Sequence, residues 1–421
     1  MRILLEAPIL TKSGYGEHAR FVFRSLMSRA QHHNLEIFIN PLNWGETGWI
    51  TRDSDEKRLI EENIKKYANY VRSKNEGMPQ KNFDIQIHVG IPNEFEKKAA
   101  YSICVTAGIE TDRVDPKWLI KTHEGIDKII VPSHHSKNVF EQSNYQVIKQ
   151  DSQESLLSCK SDVKVVPYPV KKVESKSLDF AMDTEFNFLS IALMGVRKNI
   201  PNMLKWFVEE FRNDNVGLVI KTGYKNGSLI DRKNMENLLK DVVGSDENRK
   251  CKVFLLHGHL TEKELSSLYQ REDIHVYVTT THGEGYGLPI FDAVCNGMPV
   301  VATNWSGHLD FLKPNDLKTD DKNPSYFLEV DYEMAKIQPE AAWKEIIHEE
   351  SQWAYVKPTS FKKQIRNAYN NYEKYKKTAK VLQDHILVNH EQEKITNLMF
   401  DNLLGDLIKQ NEVSDDEVVV F

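Results

Sequence analysis

The chain has 421 residues, of which 40% are hydrophobic and 28% are charged. A chain of this length is too long for one ordinary hydrophobic core and is long enough for two domains of about 150–200 residues each. Its 61 acidic residues outnumber 55 lysines and arginines, so the net charge is −6. No global positive field is therefore expected to attract nucleic acid or an anionic membrane.

The start of the chain and its cysteines favour a cytoplasmic protein. The apolar run MRILLEAPIL is too short for a membrane-spanning helix and lacks a signal-peptide cleavage site. It predicts a first β-strand and no transmembrane segment. The four cysteines, at 104, 159, 251 and 295, form no C-x-x-C pair. We expect buried thiols in a reducing cytoplasm.

Short apolar runs alternate with helical patterns along the chain. The first series predicts a strand RILLEA, a helix EHARFVFRSLMSRA, strands LEIFIN, DIQIHVG, YSICVTA and DKIIVP, and a helix HSKNVFEQ. A second series with the same alternation begins near Phe186 with FNFLSIAL and ends with MPVVATN. Strands that alternate with helices predict parallel sheets made of βαβ units, an α/β fold.

A polar segment without periodicity, 168–184, separates the two series and has the composition of a hinge linker. We therefore predict an N-terminal domain at 1–170 and a C-terminal domain at 171–385. After Pro358 the pattern is almost wholly helical, and 386–421 is expected to supply C-terminal helices and an acidic tail, SDDEVVVF.

The densest chemical signal is the string TTTHGEGYGLPIFDAVCNGMPVVATNWSGHLDFL. A strand leads into a turn with Gly283, Gly285 and Gly287, and then into a helix that begins near Leu288 with a proline in its first turn. A helix N-terminus approached through residues with little or no side chain suits an anion. In an open α/β sheet, ligands bind at this edge.

Glu284 and Asp292 are the two acids of this string. They lie eight residues apart, one on the loop and one in about the first turn of the helix, so we expect both carboxylates to face one cleft. Carboxylates can accept hydrogen bonds from the hydroxyl pairs of a sugar. On these two residues alone, a helix-dipole role for Asp292 and a solvated position for Glu284 explain them equally well.

The whole string resembles the E-x7-E signature of the retaining glycosyltransferases known as group 1 or family 4. The shared positions are Glu284-Gly-Tyr-Gly-Leu-Pro, Ala293, Gly297, Pro299-Val-Val-Ala and Gly307. Asp292 stands where the family usually has its second glutamate. The resemblance implies the GT-B architecture, in which two Rossmann-like domains face each other across a cleft. The last helices of such proteins pack back on the N-terminal domain, which meets the acceptor.

The same resemblance implies roles for individual residues. Glu284 would hold sugar hydroxyls and Asp292 the ribose, while Arg197 and Lys198 would neutralise the leaving diphosphate in place of a metal ion. Glu284, Lys198 and Arg197 form the expected catalytic set. The expected donor-binding set, besides Asp292, comprises Gly14, Gly16, Gly258, Gly285, Tyr286, Gly287 and Leu288.

Gly14 and Gly16 lie in Ser13-Gly-Tyr-Gly-Glu-His-Ala19, which also matches the dinucleotide pattern G-x-G-x-x-A. Residues 8–13 separate this pattern from the first strand, and the second strand ends in Asn40-Pro41 without the ribose-binding acid. An NAD enzyme is therefore disfavoured. The resemblance instead implies a glycine-rich loop near the donor phosphates.

Four further features have both functional and structural interpretations. His257-Gly-His-Leu260, followed by the capping pattern Thr261-x-x-Glu264, resembles the family's base-holding loop. Glu110 and Thr111, after the strand YSICVTA, are predicted in an exposed connection where an acceptor would be met; a helix cap explains them equally well. His88, at the end of the strand DIQIHVG, is the other acceptor-side candidate, although a lone histidine on a strand is more often structural. Asp53-Ser-Asp55 spells D-x-D, but helix capping explains it better.

We therefore expect a hexosyltransferase that uses a UDP- or GDP-sugar, retains the anomeric configuration, and needs no metal or other cofactor. The main alternative is a non-catalytic protein with a degenerate sugar- or nucleotide-binding site. A phosphorylase and an NAD enzyme are further alternatives. The acceptor stays open between a polysaccharide, a lipid, a protein and a modified nucleic-acid base.

Overall fold

The computed structural model describes residues 1–44, 49, 54–148, 154–224, 227–244, 246, 248–318 and 325–409. The chain forms two compact units. The first unit comprises 1–108, 114–169 and 392–421, and the second comprises 109–113 and 170–391. The sequence placed boundaries after 170 and 385, and the acidic tail lies outside the described residues.

The first unit is built on a six-stranded parallel sheet with strand order β2-β1-β3-β4-β5-β8. A small antiparallel pair, β6-β7, lies outside that sheet. Its strands and helices are β1 (Arg2–Ala7), α1 (Gly14–Ser28), β2 (Glu36–Pro41), α2 (Asp55–Asn75), β3 (Phe83–Val89), β4 (Ala99–Val105), α3 (Pro116–Glu124), β5 (Lys128–Val131), α4 (His134–Gln142), β6 (Asn144–Ile148), β7 (Glu154–Ser158) and β8 (Asp162–Val165).

Two serines fix where helices of this unit begin. The Oγ of Ser13 accepts a hydrogen bond from Gly16 N at 3.0 Å, and the Oγ of Ser54 accepts one from Lys57 N at 3.2 Å. Each serine thus satisfies an N–H that has no partner within its helix. The capping interpretation of the D-x-D string is confirmed for Ser54, while Asp53 lies outside the described residues.

The second unit has its own six-stranded parallel sheet, with order β11-β10-β9-β12-β13-β14. Its strands and helices are β9 (Phe186–Ile191), α5 (Ile200–Phe211), β10 (Val216–Lys221), α6 (Leu229–Val243), β11 (Lys252–Leu256), α7 (Glu262–Gln270), β12 (Val276–Val278), α8 (Leu288–Cys295), β13 (Val300–Thr303), α9 (Leu309–Leu312), β14 (Leu328–Val330), β15 (Tyr332–Lys336), β16 (Gln352–Val356), α10 (Pro358–Asn370) and α11 (Tyr372–Asn389).

Both sheets confirm the predicted α/β organisation of parallel βαβ units. In β9 and β10 nearly every side chain is buried, as expected for strands covered on both faces. The structure adds the antiparallel hairpin β15–β16, which the sequence did not predict. Exposed residues such as Glu333 and Met334 give β15 little apolar signal.

The helix α12 (Gln392–Phe400) belongs to the first unit and packs on α1. Arg29 forms an ion pair with Asp401 at 3.0 Å. The buried ammonium of Lys128 donates to Asn402 O at 2.9 Å. The C-terminal segment therefore completes the unit with which the chain begins.

All four cysteines are unpaired thiols. Cys104 and Cys251 are buried, as expected, whereas Cys159 and Cys295 are only partly buried. Burial raises the pKa of Cys104, so this thiol stays protonated. Within the described part of the chain, no helix combines the length and apolar character needed to cross a membrane.

Candidate functional site

The carboxyl edge of the second unit's sheet holds the predicted acidic and basic residues. β9 and β12 are hydrogen-bonded neighbours in the middle of this sheet. The loop after β9 forms a short helical turn, Val196–Lys198, and the loop after β12 carries Glu284. Because parallel neighbours end at the same edge, residues 86 positions apart in sequence meet there.

Glu284 is the centre of an ion cluster. Its side chain is 9% exposed, and it pairs with Arg197 through Oε2 at 2.9 Å and with Lys198 through Oε1. Arg197 also donates to Gly283 O at 2.7 Å and contacts Glu110 Oε1 at 3.4 Å. Two cations and two carboxylates therefore share one small region, and their formal charges cancel.

The pKa values follow from burial and from these charges. Burial raises the pKa of Glu284, but the charges of Arg197 and Lys198, with hydrogen bonds from Lys198 and Thr281, hold it well below its usual range. Burial, together with Arg197, lowers the pKa of Lys198, and Glu284 opposes that shift. The carboxylate is thus ionised at neutral pH.

A hydrogen-bonded chain fixes the backbone at Glu284. Glu284 N donates to Ser306 Oγ at 2.9 Å, and His308 Nε2 lies 2.7 Å from Thr303 O. Since a carbonyl oxygen only accepts, Nε2 carries the proton and Nδ1 is left to accept from Ser306 Oγ at 3.4 Å. Ser306 adopts a φ of +86°, a strained conformation held by these contacts. The sequence pointed to Gly307 but not to its neighbours.

The turn 196–198 is tied to the strand end that precedes Glu284. His282 N donates to Arg197 O at 2.8 Å, and Thr281 Oγ1 donates to Gly283 O at 3.1 Å. The His282 ring stacks on buried Trp353, with ring centroids 5.0 Å apart. Burial lowers the pKa of His282, so the ring is neutral. These contacts hold the two cations in position.

The helix α8 begins where the sequence predicted. Its N-cap, Gly287, has a φ of +92°, and a proline lies in its first turn. Amides of a helix's first turn have no intrahelical partner, and the helix dipole adds positive potential there. Tyr286 is buried against Phe291 and Phe311. This turn is consequently suited to an anion.

Asp292 is the fifth residue of α8, beyond its first turn, and it is half-buried. Burial raises the pKa of Tyr277, on β12, and the charges of Glu284 and Asp292 raise it further. Tyr277 OH donates to Ile191 O at 3.2 Å. Sequence analysis missed this tyrosine because its strand has the appearance of an ordinary core strand.

The predicted base-holding loop follows β11 at the same edge. Gly258 has a φ of +95°, with open space where a side chain would stand. The capping box of Thr261 and Glu264 is confirmed. His257 Nε2 lies 3.1 Å from the carboxylate of Asp231. Loops after β9, β11 and β12 therefore line one edge of this unit.

The segment 109–113 is not the exposed connection that the sequence suggested. Thr111 is 3% exposed and donates to Arg113 O at 2.9 Å. Asp112 N donates to Gln352 O at 3.0 Å, and Gln352 N donates to the Asp112 carboxylate at 2.6 Å. These bonds make the segment part of the second unit, and they bring Glu110 to Arg197.

Three predicted residues lie in the first unit, where the sequence analysis placed them. Gly14 and Gly16 begin α1, and a Cβ on Gly16 would stand 2.1 Å from Thr11 O, so close backbone packing explains this glycine. His88 on β3 is buried, and its Nε2 has no hydrogen-bond partner among the described residues. Desolvation lowers the pKa of His88, which keeps it neutral.

No three His, Cys, Asp or Glu side chains are arranged as metal ligands in the residues that the structure describes.

Comparisons with known proteins agree with this geometry. Residues 180–329 match the family "Glycosyl transferases group 1". No curated protein matches the sequence.

The chain is also similar to solved structures at low identity. Anabaena HepE, solved in complex with UDP and glucose, has 12% identity and a TM-score of 0.54, over 98% of this chain and 100% of that chain. The trehalose-6-phosphate protein from E. coli, bound with UDP-2-fluoro glucose, has 10% identity and a TM-score of 0.55, over 97% and 99%. Against the GtfA/B complex, with 14% identity and a TM-score of 0.47, the match covers 83% of this chain but spans only 61% of that chain.

Proposed function

We propose that this chain, a group 1 glycosyltransferase with the two α/β domains of the GT-B fold, transfers a hexose from a nucleotide diphosphate sugar to an acceptor. The observation that supports the proposal is the cluster of Arg197, Lys198 and Glu284 at the carboxyl edge of β9 and β12. It lies in the part of the chain that matches the family.

The chemistry of the donor explains why these groups would be needed. When the bond between the sugar and the phosphate stretches, negative charge grows on the diphosphate. Cations held beside it stabilise that transition state more than the ground state. In this proposal Arg197 and Lys198 bind the diphosphate, with the α8 N-terminus beside it, and Glu284 accepts hydrogen bonds from the sugar hydroxyls. Asp292 would accept hydrogen bonds from the ribose.

The stereochemistry, the absence of a metal requirement and the choice of nucleotide are proposed from similarity to known proteins. The E-x7-E type pattern favours retention of the anomeric configuration, and the two protein cations supply charge that a metal ion supplies elsewhere. HepE was solved with UDP and glucose, and the E. coli protein with UDP-2-fluoro glucose; this favours UDP over GDP as the nucleotide. The unpaired thiols fit a reducing cytoplasm. The acceptor classes stay those named from the sequence.

A non-catalytic nucleotide-sugar-binding protein is the second candidate. Asp292 stands where the family usually has glutamate, and its shorter side chain reaches less far from α8. Binding without turnover would favour this candidate.

A thermal-shift screen against UDP, GDP, ADP and their glucose conjugates tests the proposal, because a ligand that binds the native state raises its melting temperature. We expect UDP and UDP-glucose to stabilise the chain. Lys198→Met should abolish most of that shift and lower slow hydrolysis of the sugar nucleotide by about a hundredfold or more. The matched control is Lys205→Met, which removes an exposed lysine of α5.

Three outcomes separate the candidates. A ligand shift lost in Lys198→Met but kept in Lys205→Met, with hydrolysis of the sugar nucleotide, supports the transferase. A shift with no hydrolysis favours the binding protein. The absence of any shift, in protein that unfolds cooperatively, would rule out the proposed donor site.

A further inference from the structure

Arg197 is shared between two carboxylates. Its NH1 lies 2.9 Å from Glu284 Oε2, and its NH2 lies 3.4 Å from Glu110 Oε1. NH1 also donates to Gly283 O at 2.7 Å. A guanidinium has five N–H groups in a fixed plane, so its orientation is largely set by these partners. These contacts use three of the five N–H groups, and a diphosphate oxygen that approaches NH2 has to compete with the carboxylate of Glu110.

The two carboxylates are not equally easy to displace. Glu284 is 9% exposed and pairs with Lys198 as well. The Glu110 side chain is 32% exposed, and its contact with Arg197 is longer. Removing Glu284 from its partners would leave a buried charge unpaired, whereas Glu110 can turn towards water.

The backbone of Glu110 cannot follow its side chain. Gly283 packs on it so closely that a Cβ there would stand 2.1 Å from Glu110 O. The paired hydrogen bonds between Asp112 and Gln352 hold the next turn of the segment. Only the side chain of Glu110 is therefore able to leave Arg197.

We propose that Glu110 is a positioning residue that occupies Arg197 until the donor's diphosphate displaces it. The inference rests on the proposed function, since it assigns the diphosphate to Arg197. Glu110 fixes the plane of the guanidinium in the ligand-free protein and competes with the phosphate oxygens.

Isothermal titration of the full chain with UDP, GDP and inorganic pyrophosphate tests this competition. Glu110→Gln keeps the shape of the side chain and removes the charge. We expect it to bind UDP and pyrophosphate about three- to tenfold more tightly than the unaltered chain, because one like-charged competitor is gone. The gain should shrink as salt is added.

Two matched variants separate competition at Arg197 from a general effect of charge. Glu340→Gln removes an exposed carboxylate from the short helix Pro339–Ala341, which packs beside the turn 196–198; it should leave affinity unchanged if only Glu110 competes. Glu110→Asp keeps the charge and should bind UDP less tightly than Glu110→Gln.

The outcomes distinguish this inference from the proposed function. If the unaltered chain binds UDP and Glu110→Gln binds it equally or more weakly, the competition is refuted while the donor site stands. If Glu340→Gln gives the same gain, a long-range charge effect replaces the competition. If none of the three probes binds any variant, both the inference and the donor site are refuted.

Discussion

Single residues of this protein show two ways of burying a titratable group. Glu284 is buried with two cations beside it. His18 on α1 is 1% exposed, and neither ring nitrogen has a hydrogen-bond partner among the described residues. The aromatic rings of Tyr168 and Phe21 lie 4.9 and 6.3 Å from its own. Burial lowers the pKa of His18 to about 4, against the opposing charge of Glu17.

We predict that His18 makes the stability of the first unit depend on pH. Its pKa is about 4 when folded and 6.5 ordinarily, so between these values the unfolded chain binds more protons. The free energy of unfolding should therefore fall as the pH falls from 6.5 to 4, by up to about 3 kcal/mol. His18→Phe should reduce that slope in urea denaturation measured from pH 4 to pH 7, while the buried His88 keeps its own smaller share.

The control for this series is His32→Phe, which replaces an exposed histidine after α1. A slope that survives in His18→Phe and disappears in His32→Phe would contradict the assignment.

At the scale of elements, the site is made by turns in which backbones nearly touch. A Cβ on Gly307 would stand 2.1 Å from Gly285 O, and one on Gly283 would stand 2.1 Å from Glu110 O. Carbonyl oxygens of fixed backbone cannot move away cheaply. These glycines therefore allow the loops after β12 and β13, and the segment 109–113, to pack backbone against backbone in one layer.

Gly283→Ala is predicted to destabilise the second unit by about 1–3 kcal/mol, since the added methyl group overpacks this layer. It should also weaken the thermal shift caused by UDP, because it displaces the loop that carries Glu284. Gly195→Ala is the control: this glycine begins the turn 196–198, and a Cβ there meets nothing within 4 Å. Equal destabilisation of both variants in urea denaturation would argue against close contact as the cause.

At the scale of the whole molecule, the order of strands decides which loops can act together. In the second unit, β9 and β12 lie in the centre and β10 and β11 follow on one side. Their carboxyl ends carry the turn 196–198, the start of α8 and Gly258. An open parallel sheet thus places all predicted donor contacts of this unit along one edge.

Hydrogen exchange of the full chain should show this arrangement. UDP is expected to slow exchange at the backbone amides of 195–199 and 284–290, because ligand binding suppresses local opening. Residues 212–216, at the opposite edge of the sheet, serve as an internal control and should show no comparable slowing. Protection confined to that opposite edge would place the ligand elsewhere.

Much of this arrangement was predictable from the sequence because its signals are local. Gly287 and the proline after it mark the start of α8, and the apolar run before Thr279 marks β12. Arg197 and Lys198 were assigned to the same site as Glu284 through the family resemblance and their place after the strand FNFLSIAL. The family resemblance, with which the match of 180–329 agrees, supplied the expectation of a GT-B fold.

Other features depend on contacts between distant residues, which no local pattern reports. Thr111 is buried because Asp112 pairs with Gln352, 240 positions later in the sequence. Ser306 accepts a hydrogen bond from Glu284 N, and His308 contacts the hydroxyl of Ser306. The charges of Glu284 and Asp292 raise the pKa of Tyr277. Periodicity cannot distinguish such residues from ordinary core or loop residues.

The inclusion of 109–113 in the second unit has a practical consequence for gene construction. A recombinant protein cut at 170 would lack a segment that packs on Gly283 and pairs with Arg197 and Gln352. A chimera joined there would carry this segment from a different parent than the rest of the second unit. Hybrid proteins made from this chain therefore need crossovers on both sides of 109–113, so that these five residues come from the same parent as the second-unit residues that they contact.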